Sequence, residues 1–146
     1  MADDLPFATT LLVRDTCLCL HVQRAARALA RRYDEVFRPL GLTSGQFSLL
    51  MALNRPEAPS ISQVSTLLAM DRTTLTANLK PLERRGYIEI LAGETDKRRR
   101  TLMLTASGRA LLVGAIPVWQ RTHAKIEHVL RASNPNQFRT DLRALC

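Results

Sequence analysis

Residues 60–86, SISQVSTLLAMDRTTLTANLKPLERRG, decide the fold. Ser60 and Gln63 have the Ser-x-x-Gln spacing of a capping box, in which each side chain satisfies a free backbone N–H of the other. Val64, Leu67 and Leu68 give the helix that follows an apolar side. Asp71 is placed to cap a second helix after a three-residue turn, and Gly86 to end it in a left-handed conformation. On a wheel of about 100° per residue, Leu75, Leu79 and Leu82 share one side of that second helix. Thr73, Thr76, Ala77, Lys80 and Arg84 face away from them, with Arg72 and Thr74 on the flanks. This outward face is small, hydroxylated and cationic, and it suits a DNA major groove. A helical hairpin with a solvated polar face has the same pattern, so the motif alone leaves both readings open.

The residues after Gly86 weigh against the solvated hairpin. YIEI (residues 87–90) and TLML (101–104) read as two short strands. Between them AGETDKRRR places Gly93 for a turn and four consecutive cations at residues 97–100. A hairpin with a basic tip directly after such a helix is a wing, whose Arg98, Arg99 and Arg100 can reach a minor groove, where negative potential is focused. The order of helix, turn, helix and basic hairpin predicts a winged helix-turn-helix within a mainly α (α+β) fold.

DRTTLTANLKPLERRGYIE followed by DKRRRTLMLT resembles the recognition helix and wing of the MarR family of bacterial transcriptional regulators. PLGLTSGQFSLLMAL, ahead of them, resembles that family too, and the Asp-x-Arg of the wing, Asp96 and Arg98, is its most specific part. The resemblance implies a cytoplasmic homodimer that binds a palindromic operator in double-stranded DNA, usually as a repressor released by a ligand or an oxidant. Ser62, Arg72, Thr73, Thr74, Thr76, Ala77, Lys80, Arg84, Asp96, Arg98, Arg99 and Arg100 are the expected DNA-binding residues.

A chain of 146 residues suits one domain, or one DNA-binding lobe with a dimerisation element. Its net charge of +8 favours a polyanionic partner. Residues 71–100 carry eight cations and five anions, so most of the excess charge lies outside the motif. The acidic start MADDLPF lacks the pattern of a signal peptide, and no apolar run approaches membrane-spanning length. Three cysteines do not make a secreted disulfide framework and fit a reducing cytosol.

Outside the motif, Leu18, Val22, Ala25, Leu29, Tyr33, Val36 and Leu40 recur at steps of four and three, which predicts one long helix over about residues 7–38. Thr43 and Gln46 offer a second capping box for a helix to about Asn54, with Phe47, Leu50 and Met51 inward. Pro81 and Pro117 are expected to kink their helices without stopping them. Thr105 is set to cap a helix reaching Leu130, and Pro135 to open a last one. Residues 1–40 and 105–146 are then a helical dimerisation lobe, and 41–104 the winged DNA-binding lobe.

No phosphate loop, nucleophile elbow or His-Glu-x-x-His pattern is present, so neither an enzyme nor a cofactor or metal is expected. Cys17-Leu18-Cys19 is the unusual feature. On a continuous helix its thiols lie about 200° apart and cannot grip one metal together. Cys17 and His21 share a side as half of a metal site. Burial as small hydrophobes is the commonest fate of free cysteines, and redox sensing is the competing role. Organic-hydroperoxide sensors of the resembled family carry a reactive cysteine near the start of their first helix, with tyrosines of the partner chain bonding its sulfur. Cys19 and Tyr33 resemble that pair, although Gln23 occupies the second tyrosine position. Cys146 is then either a resolving thiol or a terminus without a role. The family's other habit implies a small aromatic ligand between the two lobes. Two further classes share the sequence features: an architectural DNA-binding protein, and a protein-interaction module whose hairpin never meets DNA.

Overall fold

The computed structural model describes residues 5–130 and 132–146, so the first four residues of the acidic start lie outside it. Seven α-helices and one hairpin follow in the order α1 (Phe7–Thr16), α2 (Leu18–Phe37), α3 (Ser44–Leu53), α4 (Ile61–Leu67), α5 (Arg72–Arg84), β1 (Ile88–Ala92), β2 (Arg100–Leu104), α6 (Ala106–Val129) and α7 (Pro135–Arg143). A 3-10 turn, Arg38–Leu40, links α2 to α3.

The winged region forms as the sequence predicts. Thr43 accepts from Gln46 and Ser60 from Gln63, each in a complete capping box. Asp71 caps α5 by accepting the Thr74 N–H at 2.8 Å. Gly86 takes φ +74 and ends the helix. Leu75, Leu79 and Leu82 are fully buried, and α5 runs through Pro81 without stopping, as α6 does through Pro117. β1 and β2 pair antiparallel, with Ile88 opposite Leu104 and Ala92 opposite Arg100. The segment before α4 adds a short third edge, where Ser60 bridges Thr101 and the Leu102 N–H donates to the Pro59 carbonyl at 2.9 Å.

Three expectations need correction. The long first helix is two helices, because Cys17 takes an extended backbone with ψ 108 that ends α1 and starts α2. The Thr16 hydroxyl donates back to the Leu12 carbonyl at 2.7 Å in the last turn of α1. Leu67 does not join the apolar side of α4 and is 59% exposed, whereas Leu68 packs against the core. Met51 is exposed, and α3 buries Leu49, Ala52 and Leu53 beside Phe47 and Leu50. This helix is enclosed by α2, α4, α6 and β2, so a one-sided reading of its pattern fails.

A single cluster of buried residues runs from Phe37 of α2 through the winged region to Leu112 and Ala115 of α6. Phe37 stacks on Phe47 with centroids 4.7 Å apart, and Tyr33 stacks on Phe37 at 5.8 Å. The joint between β1 and α6 is tight. Thr105 and Ser107 both donate to the Gly86 carbonyl, at 2.7 and 2.8 Å, and a Cβ on Gly108 would stand 2.2 Å from the Tyr87 carbonyl oxygen.

The outer helices differ from this core. Neither α1 nor α7 contains a buried residue. Phe7, Leu12, Leu18, Val113, Val129, Phe138 and Leu145 on α1, α2, α6, α7 and the C-terminal tail are all exposed. Arg139 of α7 reaches Glu127 of α6 at 2.6 Å, and Glu127 also meets His123 at 3.1 Å. Arg139 holds the Glu127 carboxyl below its ordinary range, with smaller help from His123.

Candidate nucleic-acid interface

The burial of Leu75, Leu79 and Leu82 fixes which way α5 faces. Its other side presents Arg72, Thr73, Thr76, Ala77 and Lys80, all exposed, along one shallow surface. Two hydroxyls on this helix already have partners. Thr74 donates to Asp71 Oδ2 at 2.6 Å, which reinforces the cap. Thr76 donates to the Arg72 carbonyl at 2.8 Å, so its oxygen is left to accept and its methyl to make apolar contact. The Thr74 bonds, first its hydroxyl and then its backbone N–H, keep the Asp71 carboxyl below its ordinary range and so ionised at the helix N-terminus. Arg84 is exposed in the last turn, away from this patch.

The wing closes against the same surface. Gly93 donates to the Arg99 carbonyl and Arg99 to the Asp96 carbonyl, at 2.6 and 3.0 Å. A Cβ on Gly93 would lie 2.4 Å from the Asp96 carbonyl oxygen, so only glycine permits this tip. The Asp96 carboxylate accepts the Arg98 backbone N–H at 2.9 Å. It therefore orients the arginine through the main chain, and no ion pair joins Asp96 to a wing arginine among the described residues. Ser62 of α4, Arg72 of α5 and Asp96, Arg98, Arg99 and Arg100 of the wing line one cleft of about 460 Å³ with Ser60 and Ile61. Three separate elements, α4, α5 and the wing, thus converge on one cationic cleft beside the outward face of α5.

Arg55 and Gln63 belong to this neighbourhood and carried no sequence signal for DNA contact. They line a second cleft that shares Arg99 with the first and includes no residue of α5. Arg55 sits in a proline-flanked segment that reads as a connector, and Gln63 reads as a capping residue.

The cysteines lie elsewhere, on the α1–α2 side. With the helix broken at Cys17, the angle that separates the two thiols on a continuous helix does not apply. Cys19 is exposed, and its sulfur accepts from Gln23 Nε2 at 3.2 Å. His21 turns its Nδ1 to the Cys17 carbonyl at 2.8 Å rather than to sulfur. Tyr33 lies against Phe37, and burial, with a smaller effect of Glu127, raises its pKa. Cys146 is exposed in the tail after α7, its thiol near the Leu142 carbonyl at 3.7 Å. Among the described residues no group of three or more His, Cys, Asp or Glu side chains is arranged to hold a metal ion, and no helix is long and apolar enough to cross a membrane.

A helix-turn-helix with an exposed, hydroxylated recognition helix and an arginine wing is a DNA-binding class of fold. The model of the MarR family matches residues 40–99. The HTH-type transcriptional regulator PecS of Dickeya dadantii is 30% identical over 127 residues, covering 85% of this chain and 74% of PecS. The HTH-type transcriptional regulator TtmR of Methylorubrum extorquens is 34% identical over 97 residues, covering 66% of this chain, which spans only 50% of TtmR. The crystal structure of the M. tuberculosis transcriptional regulator MosR in complex with DNA superposes with a TM-score of 0.80 and 36% identity, covering 88% of this chain and 92% of that one. The chain belongs to the MarR family of DNA-binding transcriptional regulators. Its relatives are regulators of transcription, not enzymes.

Proposed function

We propose that the protein is a cytoplasmic repressor that binds a palindromic operator as a homodimer and leaves it when a small lipophilic or aromatic ligand binds. The observation that carries the reading is the convergence of Ser62, Arg72 and the wing arginines beside the exposed face of α5. Thr73, Thr76 and Ala77 meet base edges in the major groove, while Arg72, Lys80, Arg84 and Ser62 hold phosphates and Arg98, Arg99 and Arg100 enter the neighbouring minor groove. Thr74 contributes through its cap on α5. Exposed apolar side chains on α1, α2, α6 and α7 support a second copy as their cover, since burying them would remove apolar area from water. Residues 1–40 and 105–146 then form the dimerisation lobe and 41–104 the DNA-binding lobe. Two-fold symmetry sets the two α5 helices about one turn of DNA apart.

The test is a binding selection from random duplexes, followed by titration of the enriched sequence and a scrambled control. A selected palindrome bound far more tightly than its scramble is expected. Equal affinity for every duplex would favour an architectural protein, and no affinity for DNA would leave a protein-interaction module.

One observation favours a second reading of the signal, that of an oxidant sensor. The sulfur of Cys19 is exposed and receives a hydrogen bond from the Gln23 amide, so it is both oriented and open to a peroxide. An organic hydroperoxide would oxidise that thiol to a sulfenic acid while being reduced to its alcohol. Condensation with the Cys146 thiol would then form a disulfide and release water. Cys17 and Tyr33 flank this chemistry in sequence and take part only if the dimer brings them to the sulfur.

A further inference from the structure

Arg55 stands at the start of the segment between α3 and α4, and that segment is fixed at both ends. Arg109 Nη1 of α6 donates to Asn54 Oδ1 at 2.9 Å, and the Arg55 N–H donates to the Leu53 carbonyl at 2.9 Å. At the other end the Pro59 carbonyl is held by β2, and Pro56 and Pro59 limit the backbone between. On this fixed root the Arg55 guanidinium is exposed and has no hydrogen bond or ion pair with any described residue.

Its surroundings form two clefts on either side of Gln63. One, of about 380 Å³, is lined by Arg55, Gln63, Arg99 and Glu57, with the prolines behind them. The other, of about 450 Å³, is lined by Arg55, Ser62, Gln63 and Thr66. The Gln63 carbonyl oxygen is committed to the Ser60 N–H at 2.8 Å, so its amide NH2 remains free to donate. Two guanidiniums and a free amide face a single carboxylate, Glu57, and the balance of the first cleft is cationic. Arg99 lines both this cleft and the one it shares with Arg72, Arg98 and Arg100. The basic surface therefore continues past the wing tip, away from α5.

We propose that Arg55, beside the minor-groove arginine Arg99, clamps the DNA backbone outside the segment read by α5, adding a phosphate contact in the flank of each half-site. Guanidiniums suit this role because their planar donors take phosphate oxygens in pairs. The contact carries no base information, so it raises affinity for every duplex alike. This inference rests on the proposed DNA-binding function and extends its footprint.

The experiment uses the full-length protein with Arg55→Ala and Glu57→Gln, titrated over 50–200 mM salt against operator and scrambled duplexes. Each phosphate that a chain ceases to neutralise lowers the salt slope by about one unit, so across that range wild type should lose about threefold more affinity than Arg55→Ala for each such phosphate. The ratio of operator to scrambled affinity should stay unchanged. Glu57→Gln should bind both duplexes more tightly. Replacing a flanking phosphate by an uncharged methylphosphonate should weaken wild type but not Arg55→Ala. If wild type prefers its operator while Arg55→Ala keeps the same affinity and slope, the clamp is wrong and the regulator reading stands. A wild-type protein without affinity for any duplex would overturn both.

Discussion

Arg85, just past the recognition helix, donates to the carbonyl of Gly41 at 2.7 Å and lies 4.8 Å from the Tyr87 ring centroid. Forty-four residues separate the two partners, so this bond joins the end of α5 to the corner that follows α2. Gly41 has φ +66, and a Cβ there would meet Arg85 Nη2 at 2.9 Å. The bond ties the corner after α2 to the exit of α5, so a movement of α2 that displaced Gly41 would strain that exit.

Gly41→Ala should destabilise the protein by about 1–2 kcal/mol, the cost of a left-handed alanine, and should also displace Arg85. Arg85→Ala should leave the thermal midpoint closer to wild type while weakening operator binding. Thermal unfolding and titration of both variants measure the two effects, and equal operator affinity for wild type and Arg85→Ala would remove the link.

Ala69, in the turn between α4 and α5, has φ +49 without being glycine. Ala69→Gly relieves that strain but adds chain entropy to the unfolded state, leaving a net gain of at most about 1 kcal/mol. A higher unfolding midpoint in denaturant is the expected result.

Thr73 and Thr76 should differ in what they read. Thr76 spends its proton on the Arg72 carbonyl and can only accept, which suits base amino groups, or touch a thymine methyl. The Thr73 hydroxyl is free to donate or accept. Thr73→Ala and Thr76→Ala should each relax preference at one operator position by about 1–3 kcal/mol, and Thr76→Val should retain any thymine contact. Equal losses on operator and random duplexes would assign both residues to the backbone.

Arg98→Ala should lower the salt slope of binding by about one unit for each phosphate that Arg98 neutralises. Asp96→Ala should reproduce part of that effect by freeing the Arg98 backbone, and Asp96→Asn, which keeps an accepting oxygen, should restore the slope. Failure of Asp96→Asn to bind better than Asp96→Ala would mean that charge, not the turn, is what Asp96 supplies.

The contact of α7 with α6 should loosen in acid. The Glu127 value is depressed in the folded protein, first by Arg139 and then by His123, so the pair stabilises above the ordinary carboxylate range and its contribution disappears as pH falls through the lowered value. Trp119 is the only tryptophan and stacks on His123 at 4.6 Å, which makes its fluorescence the reporter. An acid transition in wild type that Glu127→Gln lacks is expected.

The local elements were legible in sequence because short-range chemistry decides them. Two capping boxes, the Asp71 cap, the left-handed Gly86 and the period of Leu75, Leu79 and Leu82 each involve residues within about two helical turns, and all form as their spacing requires. The order of helix, turn, helix and hairpin then left the winged fold as their common arrangement. Tertiary structure decided what spacing cannot encode. Helical periodicity carried the first helix across Cys17, where an extended backbone divides it. Leu67 repeats on the apolar side yet lies in solvent, because exposure depends on what packs opposite and not on the period. The placement of Arg55 beside Arg99, and of Arg85 on Gly41, depends on chain segments 44 residues apart, and no local preference specifies such a meeting. It follows only once the buried leucines have fixed how α3, α5 and the hairpin stack.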